Sequence, residues 1–269
     1  MVNDLEKRKF IIDTSACRPN GNHHKGLYNL IDLVHFGLYS VSNSPKDVLF
    51  YHKVLLGELN LFSKSHDLVF IPEVLIENRK FISSLNEKIK IVLDSEELVR
   101  DDDKNVEFDS QLRDYDRLFA RRLRNYVGKF TEFNNYFRRR AFNLKDLNFL
   151  QTEVYDFALK KAREIHSNHE DLSCFRSFGD VLETDRKLIA TSIALAVRSP
   201  VTLISRDRAI VGERGSLRRV IESMKFWERR TDKININPQE IRVYNPDYSD
   251  NGFYDSRKEK VVYERRRLS

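Results

Sequence analysis

Val201-Thr202-Leu203-Ile204-Ser205-Arg206-Asp207 is a short apolar run closed by a carboxylate. It reads as a strand buried on both faces, from whose end the chain turns outward. Phe10-Ile11-Ile12-Asp13-Thr14-Ser15 repeats the pattern near the N-terminus. Leu68-Val69-Phe70-Ile71 reads as another strand, followed by a helix whose first turn Pro72 pre-sets. That helix carries Glu73 and, one turn on, Glu77. Asp185 opens the apolar helix that runs from Leu188 to Val197. Strands alternating with helical segments predict an α/β fold, a parallel sheet with helices on both faces and right-handed crossovers. Carboxylates at the carboxyl ends of such strands face the crevice where α/β proteins bind ligands. Asp13, Glu77, Asp185 and Asp207 are therefore the candidate site residues.

Working outward, residues 9–13 form the first strand and 14–26 a turn-rich loop. Helices are expected over about 27–41 and 46–64. Ile89, Ile91 and Leu93 alternate with Lys88, Lys90 and Val92, which predicts a third strand over 88–93. Beyond Asp101-Asp102-Asp103 a long helix is expected from about 110 to 142, then another from about 147 to 166. The α/β pattern resumes near 180 with the Asp185 helix, the strand 201–205, a helix over about 215–227 and the strand Ile241-Arg242-Val243-Tyr244. The expected domains are an α/β domain over 1–99 and 176–245, an α-helical insertion over 100–175, and a basic, poorly ordered tail over 246–269 that ends Arg265-Arg266-Arg267-Leu268-Ser269.

Glycine and proline are too few, 9 and 6 in 269 residues, for a fibrous or low-complexity chain. Lys and Arg exceed Asp and Glu by 47 to 41, a net charge of +6 that favours a polyanionic partner such as nucleic acid. Cys17 and Cys174 make no disulfide framework, which suits a reducing compartment. The first nine residues lack the apolar centre of a signal peptide, and the longest apolar run is too short for a bilayer. A cytoplasmic protein without membrane attachment is the expectation. In the insertion, Arg121, Arg122, Arg124, Arg138, Arg139 and Arg140 greatly outnumber nearby acids and are interleaved with Tyr126, Tyr136 and Phe137. That mixture predicts RNA contact through phosphates and bases. The stripe from Tyr115 to Phe137 predicts core, or a subunit interface and so a homo-oligomer formed through the insertion.

Mg²⁺ and Mn²⁺ take oxygen ligands and keep several waters, needing only one or two carboxylates each. Clustered carboxylates without a cation repel one another, so four acids at one crevice point to one or two such ions. Taken singly, Asp13 and Asp207 could equally cap turns, Asp185 could serve a helix dipole, and Glu73 could take the place of Glu77. His23, His24, the His166-x2-His169 pair and Cys17 receive no role.

Four motifs in order resemble those of PIN-domain nucleases: Phe-Ile-Ile-Asp13-Thr14-Ser15, Pro72-x4-Glu77, Asp185-Arg-Lys-Leu-Ile-Ala-Thr-Ser-Ile-Ala-Leu, and Leu-Ile-Ser205-Arg206-Asp207-Arg208. The resemblance covers about 1–95 and 175–245. It implies a flavodoxin-like sheet whose Asp13, Glu77, Asp185 and Asp207 bind Mg²⁺ or Mn²⁺. The implied reaction is hydrolysis of RNA to 5′-phosphate and 3′-hydroxyl ends. It further implies Thr14 and Ser205 as hydroxyl partners of the site and Glu183 as an extra acid. The basic insertion and Glu77-Asn78-Arg79-Lys80 are similar to the protein-only ribonuclease P branch, which implies 5′ processing of precursor tRNA. Toxin ribonucleases share the acids and would bring an antitoxin partner, but are usually shorter and carry no comparable insertion. A non-catalytic RNA-binding subunit of the same fold is the alternative from another class. A phosphatase using Asp13 would expect a second Asp where this chain has Ser15.

Overall fold

The computed structural model describes residues 8–17, 56–57, 59–61, 63–64, 67–98, 124–167, 179–228, 241–246 and 256–262. Five strands form one sheet: β1 (Lys9–Ile12), β2 (Asp67–Val69), β3 (Val201–Ile204), β4 (Ile241–Tyr244) and β5 (Lys260–Val261). Their order is β2-β1-β3-β4-β5. β1 pairs parallel with β2 and β3, β3 pairs parallel with β4, and β5 runs antiparallel to β4. The fold is thus α/β with a mixed sheet, not an all-parallel one. Ile11, Ile12, Val201, Leu203 and Ile204 are fully buried. That is why β1 and β3 read as unbroken apolar runs without alternation.

Seven helices are labelled among the described residues. They are α1 (Thr14–Cys17), α2 (Pro72–Leu98), α3 (residues 124–138), α4 (Phe149–Ser167), α5 (Gly179–Leu195), α6 (Arg208–Val211) and α7 (Ser216–Glu228). α5 lies on β1 and β3 and packs on α4 and α7. It can do so because Leu188, Ile189, Ala190, Ile193 and Ala194 leave it apolar nearly all round. α4 begins with a reciprocal cap. The Gln151 backbone N–H donates to Asn148 Oδ1 (2.8 Å), and the Asn148 N–H donates to Gln151 Oε1 (3.3 Å).

The chain forms two compact units. One comprises Met1–Ala16, Leu61–Val74 and Arg140–Ser269 and holds the whole sheet with α4 to α7. The other comprises Cys17–Asn60 and Leu75–Arg139. Its core joins α2 to α3: the Phe81 ring meets Phe130 edge-on at 6.1 Å, and Phe133 and Phe137 are also buried. Asn134 Nδ2 donates to the Leu75 carbonyl (3.2 Å) within the same core.

Several expectations are corrected. Residues 88–93 are not a strand but part of the 27-residue helix α2. Phe81, Ile82, Leu85 and Ile89 are buried at helical spacing, and that period prevails over the short local alternation. Residues 14–17 are a helical turn rather than loop, closed by the Ala16 N–H donating to the Asp13 carbonyl (3.1 Å). α4, placed by sequence in the insertion, belongs with the sheet, because Val154, Tyr155, Ala158 and Ala162 form a buried stripe against α5 and α7. Residues 260–261, expected in a poorly ordered tail, are the edge strand β5. The helix expected over 27–41 lies outside the described residues, as does the first part of 46–64, while the described residues of 56–64 are helical. No helix among the described residues is long and apolar enough to cross a membrane.

Candidate active site at the carboxyl ends of two adjacent strands

The chain passes from β1 to β2 on one side and returns to β3 on the other side of β1. Strand order therefore reverses between β1 and β3, the place where open α/β sheets bind ligands. Asp13 is the residue that follows β1, and Ser205, Arg206 and Asp207 follow β3. The register Ile12 to Ile204 brings the two strand ends level, and the Asp13 N–H donates to the Ile204 carbonyl (3.0 Å).

Two serines tie these ends together. Ser15 Oγ and Ser205 Oγ both donate to Asp13 Oδ2, the second at 2.7 Å. Each serine oxygen then accepts a backbone N–H from the opposite turn or its own: Arg206 N–H to Ser15 Oγ (2.9 Å) and Asp207 N–H to Ser205 Oγ (3.0 Å). Arg206 Nη1 also donates to the Ser15 carbonyl (2.9 Å). Asp13 is 4% and Ser205 0% exposed, while Ser15, Arg206 and Asp207 are partly exposed. Ser15 was assigned no role from the sequence, where only Thr14 was named. The signal that could have found it is position: two residues past a buried strand-end Asp, a hydroxyl reaches back to that carboxylate. Thr14 itself is buried in α1.

Asp207 is the N-cap of α6, with Oδ1 accepting the Ala209 N–H (2.7 Å). Its pKa is raised above the ordinary aspartate value. Burial is the main cause, the Ala209 N–H works against it, and the negative charge of Asp13 adds to it. The α6 turn is closely packed. A Cβ on Gly212 would come within 2.4 Å of the Arg208 carbonyl oxygen, so glycine is required there by close approach.

Asp185 lies in α5 well past its first turn and is 8% exposed. A helix-dipole role, which falls off beyond the first turn, does not account for it. The helix starts earlier than the sequence reading set it. Glu183 binds Arg163 (2.5 Å) and Arg186 (3.3 Å), joining α4 to α5. Burial opposes its ionised form, but those hydrogen bonds outweigh burial and lower its pKa. Glu73, the rival of Glu77, is engaged by Lys187 (2.5 Å) on α5. Both line a cavity of about 410 Å³ with Tyr155, whose hydroxyl is pushed up to about 12 by burial and then by the Glu73 charge. Glu77 belongs to the other unit, where its Oε1 is shielded from solvent. Arg124, Arg138, Arg139 and Arg140 are exposed, while Arg121 and Arg122 lie outside the described residues.

The structure thus brings together Asp13, Asp207 and Ser205, and adds Ser15. Among the described residues, no three His, Cys, Asp or Glu side chains group so as to hold a metal ion. Asp13 Oδ1 and Asp207 Oδ2 accept no hydrogen bond among the described residues. A buried carboxylate, Asp13, and a partly buried one, Asp207, whose ionisation the Asp13 charge opposes, each with one oxygen left over, are a hard-oxygen donor set that fits Mg²⁺ or Mn²⁺. No protein-family model, curated protein or solved structure matches the chain.

Proposed function

We propose that the chain is a divalent-metal-dependent endoribonuclease with a PIN-type, flavodoxin-like sheet. One observation carries the reading: Asp13 and Asp207 stand at the carboxyl ends of neighbouring parallel strands, at the reversal of strand order, close enough for Asp13 to raise the pKa of Asp207. Asp13 and Asp207 would hold the ion, with Asp185 as the further acid of the same unit that the motif order supplies. A bound Mg²⁺ or Mn²⁺ would lower the pKa of a water and stabilise the leaving oxygen of a phosphodiester.

The protein's own part is placement. Ser15 and Ser205 hold Asp13 Oδ2 from one side, which fixes the carboxylate plane and aims Oδ1 away from the knot. The α6 cap fixes Asp207 in the same way through Oδ1, leaving Oδ2. Burial of Asp13 would strengthen its hold on a cation, whose charge would in turn offset the repulsion between the carboxylates and a phosphate. RNA as the polyanion is supported by the +6 charge and the exposed arginines at 124, 138, 139 and 140. Processing of the 5′ leader of precursor tRNA is the particular reaction proposed within that class.

The test is cleavage of a total-RNA pool with Mg²⁺ or Mn²⁺ and mapping of the ends. Asp13→Asn and Asp207→Asn should each lower the rate by about 10²-fold or more, since even residues that only support metal ligands are worth 10–100-fold. Without metal, Asp13→Asn should remain folded and Asp207→Asn should unfold no lower than the parent. Full activity in either variant sinks the assignment, and a uniform cut at the 5′ leader of precursor tRNAs separates processing from toxin-type cleavage. Tight RNA binding with no turnover in any divalent ion would instead mark a non-catalytic subunit.

A further inference from the structure

A groove of about 490 Å³ opens in the sheet-bearing unit at the residue after Asp207. Arg208, Arg218, Lys258 and Lys260 line it against a single acid, Glu213. Its floor is apolar, with Val243, Val261 and Val262 from β4, β5 and the residue beyond. The antiparallel register sets Lys260 opposite Val243, and the groove is also lined by Asn245, which follows β4, and by Arg208, which follows Asp207. The groove therefore lies at the same edge of the sheet as Asp13 and Asp207. Arg218 shares its charge with Glu222 (3.0 Å), but both side chains are nearly half exposed, and such a surface pair is worth too little to withhold the guanidinium from a phosphate.

A rim of four cations against one acid over an apolar floor matches one occupant, a single nucleic-acid strand whose phosphates meet the rim and whose unstacked base rests on the floor. The volume falls within the range that takes one small-molecule-sized unit. A duplex offers no free base to such a narrow floor. We propose that this groove holds a single-stranded segment of the RNA substrate beside the carboxylate site. The inference rests on the nuclease reading for the identity of the polyanion. It moves the substrate track from the arginine-rich α3 region to lysines that the sequence had assigned to a tail.

The experiment measures binding of a labelled single-stranded oligouridylate by fluorescence anisotropy across a salt series. It uses the full chain carrying Asp13→Asn, in EDTA, so that cleavage plays no part. Adding Lys258→Ala and Lys260→Ala should weaken Kd about tenfold and flatten the slope of log K against log salt by about 1.4, at about 0.7 per lost phosphate contact. Lys258→Arg with Lys260→Arg should keep the affinity. Arg218→Ala, on α7, reads the same groove if the alanine pair disturbs β5, and should flatten the slope by about 0.7. Unchanged affinity and slope in these variants overturn the proposal, as does an equal loss confined to Arg138→Ala/Arg139→Ala. If the groove variants behave as expected but the parent cuts no RNA in Mg²⁺ or Mn²⁺, the groove stands and the enzyme reading falls. If the parent cuts and the groove variants bind and cut like it, the reverse holds.

Discussion

At the scale of single residues, Asp207 carries a conflict that can be measured. It sits as a helix cap, which favours its charge, in a partly buried place beside Asp13, which opposes it, and the opposing effects win. Its folded pKa lies above the unfolded one, so the folded state holds this proton more tightly. Stability is therefore lost as pH rises from the ordinary aspartate range, near 3.9, through the higher folded value, and the loss is complete above it. Asn caps helices as well as Asp does. In EDTA at pH 7, Asp207→Asn should thus unfold at a higher temperature than the parent, with the gap narrowing toward pH 4. A calorimetric pH series in which the variant is less stable at pH 7 would refute the balance drawn for this carboxylate. Asp207 and Ser205 were legible from the strand that precedes them. Ser15 was less so, because its only local signal is its place two residues past Asp13, and the Arg206 N–H that fixes its hydroxyl comes from 191 residues away.

At the scale of elements, β5 shows what the sequence concealed. Its two residues sit after a stretch without periodicity, and too short a run was available to signal a strand. The anchor is a buried acid. The Glu259 side chain is 1% exposed, and it accepts from Arg242 Nη1 (3.0 Å) on β4 and from Thr202 Oγ1 (3.1 Å) on β3. Val262 follows it into the core and donates its N–H to the Ile241 carbonyl (3.1 Å). A charged residue in a basic tail reads as solvated unless its partners on β3 and β4 are known. Glu259→Ala strands the Arg242 and Thr202 donors and should cost about 1–3 kcal/mol, seen as a lower urea midpoint with an unchanged slope. No change in midpoint would mean that β5 contributes nothing to the fold. The opposite error occurred at 88–93, where Ile89, Ile91 and Leu93 imitate a strand within a helix. Only the longer window from Phe81 to Ile89 carries the helical period.

For the molecule as a whole, the order of elements was readable because the apolar runs of β1 and β3 and the part of α5 from Leu188 on are buried, which leaves few polar residues to blur the pattern. The division into units was not readable. α2 is one helix whose first turn counts with the sheet and whose remainder packs on α3, so the boundary falls inside a continuous element without any turn signal. The acids of the motif order likewise divide, with Asp13, Asp185 and Asp207 in the unit of the sheet and Glu77 in the other. This makes the metal question one of global stability as well as of activity. An ion that binds only the folded chain stabilises it by about 2.7 kcal/mol at roughly 100 times its Kd. Mn²⁺ titrated into the parent should therefore raise the unfolding temperature in a saturating manner, whereas Ca²⁺-free buffer with excess EDTA should restore the lower value. The rise should vanish in Asp13→Asn and Asp207→Asn, which remove donors from the strand ends. A parent protein whose unfolding temperature ignores Mg²⁺ and Mn²⁺ at millimolar levels would remove the metal from the site altogether.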